Sequence, residues 1–138
     1  MALDLERFVR AQGPVYDDVV AELGAGRKTG HWMWFVFPQL AGLGRSETSR
    51  YYAIASLDEA RAYFGHPILG PRLIECARLV YEGPGSSAES ILGPIDAVKL
   101  RSSMTLFARA APEEPLFGAV LDRFYGGRPD PATEALLV

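Results

Sequence analysis

Cysteine occurs once in this chain of 138 residues, at Cys76, so no intrachain disulfide can form and there is no cysteine-rich metal framework. Within "LIECARL" that thiol reads as a small apolar residue of a helix core. Histidine occurs twice, at His31 and His66, and neither has the H-x-x-x-H or H-E-x-x-H partner that zinc needs, so no metal site is expected. No G-x-G-x-x-G and no P-loop is present, which removes Rossmann-type and ATP-driven readings, and no cofactor is expected. Long apolar runs are also lacking. The first ten residues, "MALDLERFVR", include acidic side chains and read as neither a signal peptide nor a membrane span, so a cytoplasmic protein is expected, with no membrane partner. Positive charge is not in excess either. With a net charge of −3, a general electrostatic grip on nucleic acid is not expected.

What the chain does have is core-forming material. Hydrophobic residues make up 49% and charged residues 22%, a balance that folds and excludes intrinsic disorder. No internal repeat and no Gly/Ser-rich linker divides the chain, so residues 1–138 are expected to form a single globular domain. The periodicity is helical nearly throughout. Asp4 can cap a first helix carrying Leu5, Phe8 and Val9 on one face, ended by Gly13-Pro14. Tyr16, Val19, Val20 and Leu23 form the stripe of a second, closed by "GAG". "SLDE" at 56–59 is a capping box opening a short helix that ends near Gly65. Pro71 is placed to start the next, with Leu73, Ile74, Ala77, Val80 and Tyr81 as its stripe. "EGPGSS" reads as a loop. Pro115 opens a helix with Leu116, Phe117, Val120, Leu121 and Phe124 facing inward, stopped by Gly126-Gly127. "WMWFVFP" has β propensity, but nothing offers it a partner strand, so it is expected as a short helix or irregular segment. The predicted fold class is all-α.

The helix from Ile95 to about Ala110 differs from the rest. At roughly 100° per residue, Leu100, Met104, Phe107, Ala97 and Ala108 form one apolar sector, and Ile95, Val98 and Leu106 form another on nearly the opposite side. A helix apolar on two sides is expected to be central and buried. Lys99 and Ser103, four apart, fall together in the gap between the sectors, and Asp96 reaches the same edge. A lysine held between apolar faces must be paired, reach water or lose its proton. Two readings follow for Asp96, Lys99, Arg101, Ser102 and Ser103. One is an internal salt bridge that fixes register; the other is an anion or sugar site with Lys99 and a serine hydroxyl as donors.

The segment "GRKTGHWMWFVFPQL", residues 26–40, holds both tryptophans of the chain. Arg27, Lys28 and His31 stand beside Trp32, Trp34, Phe35 and Phe37, with Gln39 at the end of the run. The aromatic residues can be core, with Arg27 and Lys28 as solvated cations stabilising a helix C-terminus. Equally, an aromatic face next to Arg and Lys is what a phosphate-bearing aromatic ligand needs: a flat wall to stack on and fixed donors for the anion. Glu75 in "PRLIEC" is a candidate general acid or base if buried. If exposed, it pairs with Arg72 or Arg78.

The blocks "GRKTGHWMWFVFPQLAGLGRS", "YAIASLDEARAYFGHPILGPRLIEC" and "DAVKLRSSMTLFARA" resemble the family of small uncharacterised bacterial proteins sometimes labelled "calpastatin". The resemblance runs from "RFVRAQ" to the final "TEALL" and implies a single all-α domain, without supplying an activity. The label itself conflicts with composition, because true calpastatin is a disordered protease inhibitor and this chain is expected to fold. A looser pattern, Leu69-Gly70, Arg72, Glu75, Lys99, Met104 and Phe107, is similar to proteins that process NAD- or ADP-ribose-type molecules by breaking N-glycosidic bonds.

Together these features lead to one expected function and one rival. The first is binding of a phosphorylated, nucleotide- or ADP-ribose-like small molecule in a cleft between residues 27–39 and the helix from Asp96 to Ser103. In that reading Trp32 or Trp34 stacks the base, Arg27, Lys28 and Lys99 hold phosphate, and Glu75 or Asp96 orients a water. Here Glu75, Asp96 and Lys99 are the candidate catalytic residues. His31, Gln39, Arg101, Ser102 and Ser103 complete the candidate ligand-binding set. The rival is a non-enzymatic adaptor whose aromatic-basic surface docks a protein. A hollow holding Lys99 and Trp34 favours the ligand; a flat patch favours the protein partner.

Overall fold

The computed structural model describes residues 4–137; the first three positions of the "MALDLERFVR" segment therefore lie outside the described residues. Within that range the chain forms ten helices: α1 (Glu6–Gln12), α2 (Tyr16–Gly24), α3 (Met33–Val36), α4 (Glu47–Tyr51), α5 (Leu57–Gly65), α6 (Leu69–Glu82), α7 (Ala88–Leu92), α8 (Pro94–Ala110), α9 (Leu116–Tyr125) and α10 (Pro131–Leu137). Among the described residues no strand forms; a single bridge joins Leu40 to Ile54. The all-α expectation is met, and "WMWFVFP" supplies the one-turn helix α3. No helix among these residues is long and apolar enough to cross a membrane.

α8 is the hub. It packs on α5, α7, α9 and α10, while α6 closes the far side against α2, α5 and α9. Leu100, Met104, Leu106 and Phe107 have no exposed surface, each worth about 1.5–3 kcal/mol of transfer free energy as a buried side chain. The expected burial of both apolar sectors holds only for the second half of this helix. Near its start, Ile95 is 73% and Val98 64% exposed, because no helix covers that side of the first two turns. That uncovered side borders the candidate site.

Caps set most boundaries. Ser56 accepts from the Glu59 amide as expected. Glu59 itself does not reach back to Ser56. Its carboxylate accepts from Ala55 N at 2.6 Å and faces Arg7 at 3.4 Å. Asp4 does not cap α1, which begins after Leu5 without a side-chain cap. Pro71 falls in the first turn of α6, two residues after its start at Leu69, and Tyr81 on that helix is 38% exposed. Gly126, with φ of 63°, ends α9 in the left-handed region that glycine tolerates best.

Gln12 ties the aromatic segment to the core. Its amide donates to the Phe35 carbonyl at 2.7 Å and to Tyr63 Oη at 2.9 Å, so α3 is hung between α1 and α5. That anchor decides which indole goes inward. Trp32 is 2% exposed and in the core, whereas Trp34 is turned partly outward.

Candidate ligand-binding site

Glu22, near the end of α2, organises the loop that follows. Its Oε1 accepts from Thr29 N at 2.7 Å, Gly30 N at 2.8 Å and Trp32 Nε1 at 3.0 Å. Burial pushes this carboxyl up, but the three donors outweigh it and hold its pKa below the ordinary value. Gly30 is required by space, since a Cβ there would lie 2.8 Å from Trp32 Cδ1. The same loop is tied to α7, where Lys28 N donates to the Ile91 carbonyl at 2.7 Å.

This loop delivers Lys28 to the start of α8. Lys28 Nζ lies 2.9 Å from Asp96 Oδ2, and Lys99 Nζ lies 3.3 Å from Asp96 Oδ1. The side chains of Lys28, Asp96 and Lys99 retain 8%, 18% and 20% of their exposure. Two ammonium groups thus share one carboxylate, which leaves a local surplus of positive charge. Asp96 sits in the first turn of α8, where the helix dipole favours an anion. Lys99 Nζ also stands 4.5 Å from the centre of the Trp34 ring, and Lys28 Nζ 5.0 Å from that of Trp32, both within cation–π range.

These groups line a hollow of about 400 Å³ with His31, Trp34, Leu92 and Gly93. Gly93, with φ of 88°, makes the tight α7–α8 junction that is part of its lining. Two further hollows adjoin it. His31 and Trp34 also line one of about 550 Å³ with Phe35, Tyr51 and Tyr52. Lys99, Pro94 and Ile95 also line one of about 570 Å³ with Gln39, Val98 and Asp130. Shared lining residues set the three side by side along one face, with Trp34 between the first and the aromatic hollow and Lys99 between the first and the larger one; together they form the trough.

The expected site residues divide on this geometry. Lys28, His31, Trp34, Asp96 and Lys99 converge on the first hollow, and Gln39 and Ser102 reach the second. Others do not converge. Trp32 is core, its indole N–H committed to Glu22, and it has no face to offer a ligand. Ser103 is fully buried, with its hydroxyl lacking a hydrogen-bond partner among the described residues. Arg101 donates to the carbonyls of Arg128 and Pro129 at 3.0 Å each, so it clamps the loop before α10. Arg27 is exposed and does not line the trough.

Glu75 is exposed on α6 and accepts from Tyr16 Oη. It lines a separate hollow with Pro71, Ile74 and Arg78. Of the loosely spaced set from Leu69 to Phe107, Lys99 alone reaches the trough. Next to Glu75, Cys76 is buried, and burial first, with the Glu75 charge adding to it against a Tyr16 hydrogen bond, pushes its thiol up to about 12. It is an inert core residue. Among the described residues no group of three or more His, Cys, Asp or Glu is placed to hold a metal.

Residues 128–137 were missed as a source of site residues. Asp130 caps α10, with Thr133 N at 3.3 Å, Thr133 Oγ1 at 2.6 Å and Ser102 Oγ at 2.8 Å all donating to Oδ2. "PDPAT" carried the signal: an N-cap aspartate followed by proline at the first helical position. Tyr51 and Tyr52 were also missed, since nothing local marks them as facing Trp34.

The fold has a close counterpart. The crystal structure of the conserved hypothetical protein Rv1873 from Mycobacterium tuberculosis superposes with a TM-score of 0.95 at 60% identity, covering 97% of this chain and 96% of that one. No curated protein matches. Neither a calpastatin name nor a glycosidase activity accompanies the matches that are found. A family model described as a protein of unknown function, DUF1810, matches residues 2–137, and the chain belongs to that family.

Proposed function

We propose that the trough binds a phosphorylated, base-containing small molecule of the nucleotide or ADP-ribose kind. The observation that carries this reading is the pairing of two lysines with a single aspartate beside an accessible indole. An arriving phosphate satisfies the surplus cation and draws Lys99 and Lys28 from Asp96, forming charge-assisted hydrogen bonds. Trp34, and not Trp32, is the stacking face. The base lies in the hollow bounded by Trp34, Phe35, Tyr51 and Tyr52, where flat apolar walls favour it.

If turnover occurs, cleavage of a ribosyl N-glycosidic bond is the chemistry to test first. Such a bond breaks through a cationic sugar, which a nearby carboxylate stabilises electrostatically. Asp96 is the carboxylate lining the first hollow among the described residues, and release from its lysines exposes it to that charge. Glu75, in another hollow, has no part in this step. The adaptor reading draws support from Ile95, Val98 and Tyr51, all more than half exposed along the same trough. Thermal-shift measurements with ADP-ribose, NAD and ADP separate the two. A concentration-dependent rise in Tm is expected; no response to any of the three favours the adaptor and ends the ligand reading.

A further inference from the structure

The hollows on the two sides of Lys99 differ in chemistry. The first holds Lys28, Lys99 and one carboxylate. The second shares Lys99 but is otherwise acceptor-rich, with the Asp130 carboxylate, the Gln39 amide and the hydroxyls of Ser49 and Ser102 in its lining. Leu43, Ile95, Val98 and Ala132 supply its apolar lining. Burial pushes the Asp130 carboxyl up, but hydrogen bonds from Thr133 and Ser102 outweigh it and keep it below the ordinary carboxylate value, so it is an anion at neutral pH. A second phosphate placed there would meet that charge at close range. A ring bearing several hydroxyls would instead donate to Asp130 and Gln39 and lay its C–H face on Ile95 and Val98. Carboxylate recognition of sugar hydroxyls is the same device by which acidic residues hold ribose in dinucleotide sites.

We propose that the hollow of about 570 Å³ is a sugar subsite, and that the bound molecule is a nucleoside diphosphate sugar with its diphosphate astride Lys28 and Lys99. This rests on the phosphorylated-ligand reading above and adds an order to it: base toward Trp34 and Tyr51, diphosphate at the two lysines, terminal sugar toward Asp130. Val98 and Asp130 line only the sugar end of the three adjacent hollows, which makes them separable from phosphate binding.

The test is titration calorimetry of the full chain with two probe pairs, ADP against ADP-ribose and UDP against UDP-glucose. In at least one pair the sugar-bearing member is expected to bind about tenfold tighter, the scale of hydrogen bonds to a charged group. Asp130→Asn and Val98→Trp each remove that preference; Val98→Trp leaves the bare diphosphate's Kd within about twofold, and Asp130→Asn, which removes an anion from the hollow that Lys99 also lines, leaves it equal or tighter. Because Asp130 also caps α10, the exposed-site variant Val98→Trp decides the matter if Asp130→Asn fails to fold. Equal binding of both members in both pairs overturns the sugar subsite alone. So does a wild-type preference that survives in Val98→Trp, or an equal loss for sugar-bearing and bare probes. Absence of binding by all four probes overturns the phosphorylated-ligand reading together with it.

Discussion

Arg7 and Glu59 form one charge cluster of this molecule; Lys28, Asp96 and Lys99 form another. In the first, one cation meets one anion, with side chains 9% and 4% exposed. Arg7 spends its remaining donors on main-chain carbonyls, Nε on Tyr51 at 2.8 Å and Nη2 on Ala53 at 2.9 Å, and Glu59 accepts from Ala55 N. Every charge there is balanced and nearly every donor used, so the cluster holds α1, the 51–55 turn and α5 together. The second has two cations for one anion. Lys28 is as closed as Arg7 and also donates to the Gly30 carbonyl, but Asp96 and Lys99 are about two to five times as open as the first pair and border a trough with an indole face. Balance and closure mark a cluster that builds the fold. Surplus charge and access mark the one proposed here to take an anion.

Several substitutions can break that contrast. The largest effect is expected from Glu59→Ala, which strands the Arg7 guanidinium in the core at a cost of about 3–5 kcal/mol, read by chemical denaturation. A loss below about 1 kcal/mol, the scale of exposed pairs, would erase the distinction. Trp34→Ala is expected to weaken ADP binding by about tenfold, from lost stacking of about 1–3 kcal/mol. Calorimetry at a temperature where the variant remains folded separates this from stability, and folding loss with unchanged affinity would return Trp34 to the core. The smallest effect is expected from Glu22→Gln, about 1–2 kcal/mol at neutral pH from weakened hydrogen bonds to the charged form. The Glu22 carboxyl titrates below its ordinary 4.5 in the folded chain, so the unfolded chain takes up the proton first as pH falls. Its contribution is complete above the ordinary value and is lost as pH drops through the lowered one. The Glu22→Gln variant should therefore show a shallower decline of Tm below about pH 5 than wild type; parallel acid limbs would contradict it.

Much of the fold was legible because long helices bury stripes at 3.6-residue spacing. α2, α6 and α9 lie where Leu23, Val80 and Phe117 required them, and α5 where the Ser56 cap opened it. Three of the short helices were not legible. α4 and α7 have five residues each and α10 seven, too few turns for a stripe, and they stand on caps at Ser46, Ser87 and Asp130. The site was half legible. Lys99 and Asp96 stood out as charged residues in the gap between two apolar sectors of one helix, and Lys28 and Trp34 as part of an unusual segment. Three-dimensional placement decided the rest. Trp32 and Trp34 are two apart in sequence, and only the Gln12 anchor and the Glu22 bond send one inward and leave the other at the surface. Ile95 and Val98 look like core in a sequence, yet they line the trough because no element covers the start of α8.

Titration of wild type and Lys99→Met with ADP, beside their unfolding curves, tests the surplus-charge account most directly. Wild type should bind, with affinity falling as salt rises. Lys99→Met should lose about tenfold or more of that affinity while its stability shifts by no more than about 1 kcal/mol, the scale of a partly exposed pair. Equal ADP affinity in both proteins, or a Lys99→Met chain as destabilised as Glu59→Ala, would make the second cluster another strut of the fold.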